Sequence, residues 1–400
     1  MRFLTAGESH GKGLTVLIDN FPAGVPIDWA LVNQDLSRRQ QGYGRGGRQK
    51  LEKDKADCLS GVRFEKTTGA PIALFIENRD HANWETVMAS EGSAGEAAAS
   101  KRFVRPRPGH ADLAGYYKYN LNDLRDALER ASARETAARV AAGGFAKALL
   151  RAVGMDLASH VSSLGTISVP EASIPDSLAA IRSRAEANDL RCVADDSVLA
   201  AMRQAVDDAR MAGTTLGGEL EVQVVPVIPG LGSYTQWDRR LDGLLAQAVM
   251  SIQAVKSVTI GDGNQGATLA GHEFHDSIHP HTPDASGRTT LKRGSNRSGG
   301  LEGGVTTGAP LIVRATMKPI ATLRVPLDSI NLETGTPEPA HFERSDVTAV
   351  PACAVVAEAM VAVVLAQAVL EKFGHDNLTD IQQAINAYQE RLHYPPATIH

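Results

Sequence analysis

The sequence predicts an α+β protein built from two similar halves, and three observations carry that prediction. Strand-like runs are gathered ahead of long helical segments instead of alternating strictly with them, which favours segregated sheets and helices over a doubly wound sheet. Three landmarks recur in the same order, with unequal spacers between them. The chain has 400 residues, 43% hydrophobic and 22% charged, which suits a duplicated globular unit able to bury a large core.

The first landmark pair is "AGESHGKGL" at 6–14 and "AGTTLGGEL" at 212–220. From Ala6 to Gly24 and from Ala212 to Gly230 the segments align without a gap, and Ala6/Ala212, Gly7/Gly213, Gly11/Gly217, Leu14/Leu220, Val16/Val222 and Gly24/Gly230 are identical. The runs that follow, "LTVLIDNFP" and "LEVQVVPVIP", are β-branched and end in proline or glycine, hence strands. The second pair is "TTGAPIALFI" at 67–76 and "TTGAPLIVRA" at 306–315. The third is "LERAS" at 128–132 and "FERSD" at 342–346, each ahead of an Ala-rich helix, ending at Gly154 and Gly374. "SARETAARVAAGGFAKALLRAVG" is helical by propensity, with Gly154 as its C-terminal cap. The halves therefore span about 1–155 and 205–375, with 156–204 as a helical connector and a further helix over 239–256. The segments 86–101 and 271–298 are long, polar loops, and the tail 388–400, with "YPPATIH", reads as disordered.

Composition excludes some classes. A net charge of -5 and a pI near 6.2 do not suit a dedicated nucleic-acid binder. The N-terminus "MRFLTAGESH" has no apolar core of a signal peptide. The most apolar stretch, Met360 to Leu365, is bounded by Glu358 and Gln367 and reads as a short buried helix, not a membrane span. Cys58, Cys192 and Cys353 are odd in number and unclustered, as free thiols in a reducing cytoplasm would be.

Where two copies agree in glycines but differ in chemistry, the difference is a candidate for function. Glu8-Ser9-His10 in the first copy is Thr214-Thr215-Leu216 in the second. The fragment "GESHGKG" lacks the spacing of a phosphate-binding P-loop, and His10 taken alone reads first as a turn or core histidine. "RRQQGYGRGGRQK" concentrates Arg38, Arg39, Arg45, Arg48 and Lys50. Guanidinium forks bind carboxylate and phosphate; a solvated basic loop or an RGG-type RNA-binding segment is the alternative, the latter disfavoured by only 5% aromatic residues. In "RPRPGHAD", prolines and Gly109 present His110 on stiff backbone beside Arg105 and Arg107. In "ERASARET", Arg130 and Arg134 share a helix face, and Ser132 either caps the helix or offers its hydroxyl. "GGLEGG" at 299–304 and "MKPIAT" at 317–322 add a Gly-rich turn and a cation. His272, His275, His279 and His281 suit a solvated loop better than a metal site, so no metal is expected. Two histidines, an aspartate and many arginines suggest proton transfer on a small, multiply anionic substrate.

In order and along nearly the whole chain, "GESHGKGLTVLID", "RPRPGHAD", "ERASARETAARVAAG", "SIQAVKSVTIGDG", "GGLEGG" and "RSDVTAVPA" resemble chorismate synthase. Asn20 departs slightly, where the family more often has glycine or histidine. The resemblance implies an α+β sandwich of long helices between antiparallel sheets, and conversion of 5-enolpyruvylshikimate 3-phosphate to chorismate and phosphate. It also implies reduced FMN as cofactor without net redox change, NADPH as an indirect reductant through an external flavin reductant, and a cytoplasmic homotetramer that binds neither nucleic acid nor membrane. By the same resemblance His10, His110, Asp346, Ser9 and Ser132 are catalytic. Arg130, Ala131, Ser132, Gln253, Ala254, Gly303, Lys318, Pro319, Ile320, Ala321, Thr322 and Arg344 contact FMN. Arg39, Arg45, Arg48, Arg107 and Arg134 surround substrate anions, Arg39 and Arg45 also being positions sometimes assigned to NADP. Two other classes stay open, an RNA binder using Arg38 to Arg48 and a flavin-dependent reductase of another anion.

Overall fold

The computed structural model describes residues 1–46, 53–92, 95–282, 289–343 and 346–392. Its two larger sheets are antiparallel. The first has the order β1-β2-β4-β3, from β1 (Arg2–Ala6), β2 (Gly13–Asp19), β3 (Asp57–Ser60) and β4 (Ile72–Glu77). The second has the order β8-β9-β7-β5-β6, from β5 (Leu157–Leu164), β6 (Ile167–Ser168), β7 (Gly218–Val224), β8 (Val255–Ile260) and β9 (Leu311–Met317). The longer helices among the described residues are α1 (Trp29–Gln40), α2 (Asp112–Tyr119), α3 (Arg125–Ala131), α4 (Thr136–Ala152), α5 (Leu178–Glu186), α6 (Asp196–Met211), α7 (Leu241–Met250), α8 (Val350–Phe373) and α9 (Leu378–Arg391).

Alternation dictates the first sheet. Leu14, Val16 and Ile18 of β2 and Ile72, Leu74 and Ile76 of β4 point inward and are buried, while Thr15 and Leu17 point outward. That face packs on α4, whose alanines and glycines leave a smooth surface against α8; α8 in turn covers β5 and β7. Close approach is why Gly143 is a glycine. A Cβ there would lie 2.4 Å from the Cβ of Ala359 and 2.7 Å from its Cα. Gly143→Ala is therefore expected to destabilise the protein by about 1–3 kcal/mol despite better helix propensity, read as a lower denaturation midpoint. An unchanged midpoint would show that the two helices can part at no cost.

The landmark pairs occupy matching places. Gly24 and Gly230 have φ of 83° and 82°, a left-handed conformation that glycine adopts freely. Gly24 N donates to Thr67 O and Gly230 N to Thr306 O, both at 2.8 Å. The Thr67 hydroxyl accepts from Val25 N (2.9 Å) and donates to Pro22 O (2.6 Å), just as the Thr306 hydroxyl accepts from Leu231 N (2.8 Å) and donates to Ile228 O (2.7 Å). Asn20, the departure from the family pattern, has φ 54°, a region asparagine tolerates better than most residues.

Four sequence expectations change. The segment 156–204 is not a purely helical connector: it opens with β5, which pairs along β7 from Leu157↔Val224 to Leu164↔Gly218. With α8 on one face and α5 on the other, β5 is buried on both sides and carries no alternation to announce it. The apolar stretch near Met360 belongs to a helix of 24 residues, long enough to cross a membrane, but 94% of its most apolar window is buried inside the protein. The tail begins later than residue 388, because α9 runs to Arg391 and the Tyr388 ring packs 5.5 Å from that of Phe373; residues 393–400 lie outside the described ones. The polar loops contain short elements, a helix at Glu96–Lys101 and a hairpin pairing Ile278–Pro280 with Leu291–Arg293.

Candidate active site

The loop between β1 and β2 carries Ser9 and His10, and its backbone is clamped from two sides. Asn78, just after β4, donates its amide to Glu8 O (3.0 Å) and Gly11 O (2.8 Å), and Arg134 Nε fixes that amide by donating to its oxygen at 2.8 Å. From α3, Glu129 O accepts from Ser9 N at 3.0 Å and Glu129 Oε2 accepts from His10 N at 2.8 Å. His10 Nδ1 lies 2.7 Å from Glu129 Oε1, and its ring stacks on Trp84 with centroids 3.9 Å apart. Ser132 Oγ donates to Ser9 Oγ (3.2 Å) and accepts from Arg134 N (3.3 Å), so it both caps its turn and reaches the loop. Arg130 donates to Thr5 O (3.1 Å) and Gly7 O (3.3 Å), holding the end of β1.

Beside this loop one carboxylate serves two arginines. Asp54 accepts from Arg39 Nη2 and Arg134 Nη1, each at 2.6 Å. Burial alone would push the Asp54 carboxyl up, but the two guanidiniums win and hold it below the usual range. Burial also drives Arg39 down to about 10, with Arg134 and Arg45 adding to the effect against Asp54. Arg45 pairs with Asp346 at 2.7 Å, and Gly46 N donates to the same carboxylate at 2.5 Å. Arg38 does not join this field: it turns into the core onto Asp35 and Glu358.

A second histidine–carboxylate pair lies on the 105–112 loop. His110 Nδ1 is 2.5 Å from Asp112 Oδ1, and Arg107 donates to Asp112 through Nε (2.8 Å) and Nη2 (2.9 Å). Burial would raise the Asp112 carboxyl, yet hydrogen bonds from Arg107 and His110 hold it well below its ordinary value. Arg107 Nη1 also donates to Thr322 Oγ1 at 3.1 Å, and Lys318 Nζ donates to Gly109 O, joining this loop to the segment after β9. Within that segment Ile320 O accepts from Thr215 Oγ1 at 2.8 Å, and the Cβ of Ala321 faces Gly109, while Pro319 adjoins Gly217. Thr215 belongs to the second copy of the Ser9-His10 loop and so ties that copy to the segment after β9. Lys318 N donates to Ala254 O at 2.9 Å, and Gln253 Nε2 donates to Glu135, next to Arg134, at 3.2 Å. A chain of cation–ring contacts connects the histidines: the Arg125 guanidinium lies 5.1 Å from the Trp84 ring and 5.4 Å from Phe103, and that of Arg107 lies 5.8 Å from Phe103.

Most of the sequence-predicted residues thus gather around α3, the start of α4 and the 318–322 segment, with Ala131 the last residue of α3. Gly303 stands apart, at a hairpin tip beside Tyr234. Leu241 N donates to Gly304 O, so the hairpin meets the first turn of α7, whereas Gln253 follows its last, about 15 Å away along the axis. Arg48 and Arg344 lie outside the described residues. The residues that sequence reasoning missed are the carboxylates Glu129, Asp54 and Asp112, and Asn78 and Trp84. Glu129 and Asp112 stand inside the quoted motifs; Trp84, one of three tryptophans, lies just ahead of a stretch read only as polar loop. Among the described residues, Arg39 Nε, Arg45 Nε and Gln253 Oε1 are buried without a hydrogen-bond partner, a polar lining that a bound polar group would satisfy.

A buried His10–Glu129 pair and a half-buried His110–Asp112 pair beside clustered guanidiniums, on an α+β frame, suit an enzyme that moves protons on a small anionic ligand. Known proteins narrow this further. The family model described as chorismate synthase matches residues 1–370. Chorismate synthase of Solibacter usitatus (strain Ellin6076) is 50% identical over 392 residues, covering 98% of this chain and 99% of that protein. Chorismate synthase of Moorella thermoacetica (strain ATCC 39073 / JCM 9320) is 52% identical over 392 residues, with the same coverage. A crystal structure of chorismate synthase superposes with a TM-score of 0.77 at 40% identity and covers 98% of both chains. The chain belongs to the chorismate synthase family.

Proposed function

We propose that this chain is a carbon–oxygen lyase of the shikimate pathway, converting 5-enolpyruvylshikimate 3-phosphate to chorismate and phosphate in aromatic amino-acid biosynthesis. The reaction breaks one C–O bond to phosphate and one C–H bond, forms a C=C bond in anti-1,4 fashion, and leaves no net redox change. The observation that carries the reading is the buried His10–Glu129 pair beside Arg39, Asp54 and Arg134. Arginines bind the phosphate and carboxylates of the substrate, and His10 gives a proton to the departing phosphate, with Ser9 and Ser132 as its hydrogen-bonding neighbours. Arg39, Arg45, Arg48, Arg107 and Arg134 form this cation set, in which Asp54 and Asp112 act as internal counter-ions.

No carbonyl acidifies the lost proton, and reduced FMN, when bound, supplies the electron density that an ordinary general base cannot. The residues present fit a flavin: Gln253 Oε1 is a buried acceptor without a partner, beside Ala254 and the 318–322 backbone. Arg130, Ala131, Ser132, Gln253, Ala254, Lys318 to Thr322 and Arg344 would hold it, Gly303 lying apart from them at its hairpin tip. His110, steadied by Asp112, tunes the protonation of the cofactor, and Asp346 assists removal of the substrate proton once it exchanges Arg45 for the ligand. The reductant is external, NADPH acting indirectly. The enzyme is placed in the cytoplasm as a homotetramer. The matched turns at Gly24 and Gly230 support an internally duplicated sandwich whose halves are about 1–155 and 205–375.

The test is anaerobic: purified protein, chemically reduced FMN at catalytic amount and 5-enolpyruvylshikimate 3-phosphate, with chorismate followed by absorbance. Chorismate is expected with reduced flavin and none with oxidised flavin. Flavin binding without chorismate would assign the site to another anion, and stoichiometric NADPH consumption would make the protein a reductase.

A further inference from the structure

We infer that Glu129 is a positioning residue that dictates which ring nitrogen of His10 meets the substrate, an inference resting on the reading of His10 as the proton donor. One side chain and its own backbone hold the loop at three points: Glu129 O to Ser9 N (3.0 Å), Oε2 to His10 N (2.8 Å) and Oε1 to His10 Nδ1 (2.7 Å). A carboxylate only accepts hydrogen bonds, so the imidazole must carry its hydrogen on Nδ1. Nε2, across the ring, is then the nitrogen that takes up a proton to give the imidazolium and passes that proton to the departing phosphate, the Nδ1 hydrogen staying directed at Glu129 throughout.

The surroundings leave the ring little freedom to do otherwise. Trp84 lies flat against it, at an interplanar angle of 25°, so a ring flip would have to push the indole aside. The Glu129 side chain is fully buried, at 0% exposure, and is flanked by the Arg125 guanidinium at a looser 3.3 Å. Arg125 is itself shared, donating to Glu343 at 2.9 Å and to Lys101 O at 2.9 Å. His10 therefore receives the shorter of the two side-chain contacts to Glu129, and a bond in so dry a place is strong. At His110 the Nδ1 also faces a carboxylate, Asp112 at 2.5 Å, but there the Arg107 guanidinium lies 3.0 Å from Nδ1 and 3.3 Å from Nε2, so only His10 has its tautomer set by a carboxylate alone.

Glu129→Gln keeps the shape but replaces one acceptor oxygen by a donor NH₂, which can pair with an unprotonated Nδ1 and so release the other tautomer. Glu129→Asp keeps the acceptor one methylene further away. The measurement is the ¹⁵N spectrum of histidine-labelled full-length protein by magic-angle-spinning NMR, with His10 identified by its loss in His10→Ala, together with kcat and KM. In Glu129→Gln the His10 signal is expected to move from the Nδ1–H form toward Nε2–H. In the same variant kcat is expected to fall by about 10²–10⁴-fold, the upper end being the scale seen when a carboxylate that sets a histidine tautomer is replaced by an amide, with KM little changed. Glu129→Asp is expected to recover part of both. An unchanged His10 spectrum in a folded Glu129→Gln protein would overturn the inference, as would equal loss of rate in both variants with the spectrum intact, the mark of a merely structural role. If Glu129→Gln does not fold, the same comparison on Glu129→Asp decides. Full turnover by His10→Ala would retire the role given to His10, while the spectrum still decides whether Glu129 orients the ring.

Discussion

Replacing His10 by alanine is expected to lower turnover by roughly 10²–10⁴-fold, the range that general acid catalysis contributes, while the protein stays folded. The fold should survive because the loop hangs on backbone groups that alanine retains: His10 N to Glu129, Ser9 N to Glu129 and the Asn78 bonds to Glu8 and Gly11. What is lost is the stacking on Trp84 and one hydrogen bond to Glu129, which Arg125 still neutralises in part. That loss is about 1–3 kcal/mol, a shift in midpoint and not an unfolded chain. Steady-state chorismate formation, with a melting curve as control, measures both. A rate near wild type would remove His10 from the chemistry.

The largest effect on stability is expected at Glu358, where alanine should cost about 3–5 kcal/mol. This carboxylate sits inside α8, 2% exposed, and accepts from Arg38 Nη1 (2.9 Å) and Nη2 (3.0 Å), Lys147 Nζ (2.5 Å) and Ser159 Oγ (2.7 Å). Burial would push its carboxyl up, but Arg38 and Lys147 hold it well below the usual range. The alanine variant leaves Lys147 buried with only Asp35 (2.7 Å) as partner. Replacing Lys147 and Glu358 together by methionine and leucine removes the stranded charge as well as its partner, and should cost far less than Glu358→Ala alone. Denaturation midpoints of the two variants check this. A double variant as weak as the single would show that the network is needed for its hydrogen bonds and not only for charge balance.

The residues in these predictions differ in how far the sequence exposes them. Ser9-His10 stands out because its copy, Thr215-Leu216, lacks the chemistry, a comparison that needs no structure. The strands β2 and β4 are legible because one face of each is wet, so their residues alternate. β5 is not, because helices cover both its faces. Glu358 looks like the end of an apolar stretch, since a charge inside a buried helix makes sense only once Arg38 and Lys147 are seen to meet it. Arg38 and Arg39 look like one positive field, yet successive residues of a helix point about 100° apart. One therefore faces Glu358 in the core and the other Asp54 at the site.

By itself the sequence determined what is local: which strands have a dry face, where glycine must turn the chain, which half kept a histidine and which side chains could carry charge. Only the tertiary structure decided the partners, because burial and Coulomb attraction act across space. Glu129 is 119 residues from His10, and Asp54 is 80 from Arg134. No periodicity along the chain encodes such distances; packing α3 and α4 against the first sheet does, and it turns a set of arginines and histidines into paired groups with assigned orientations.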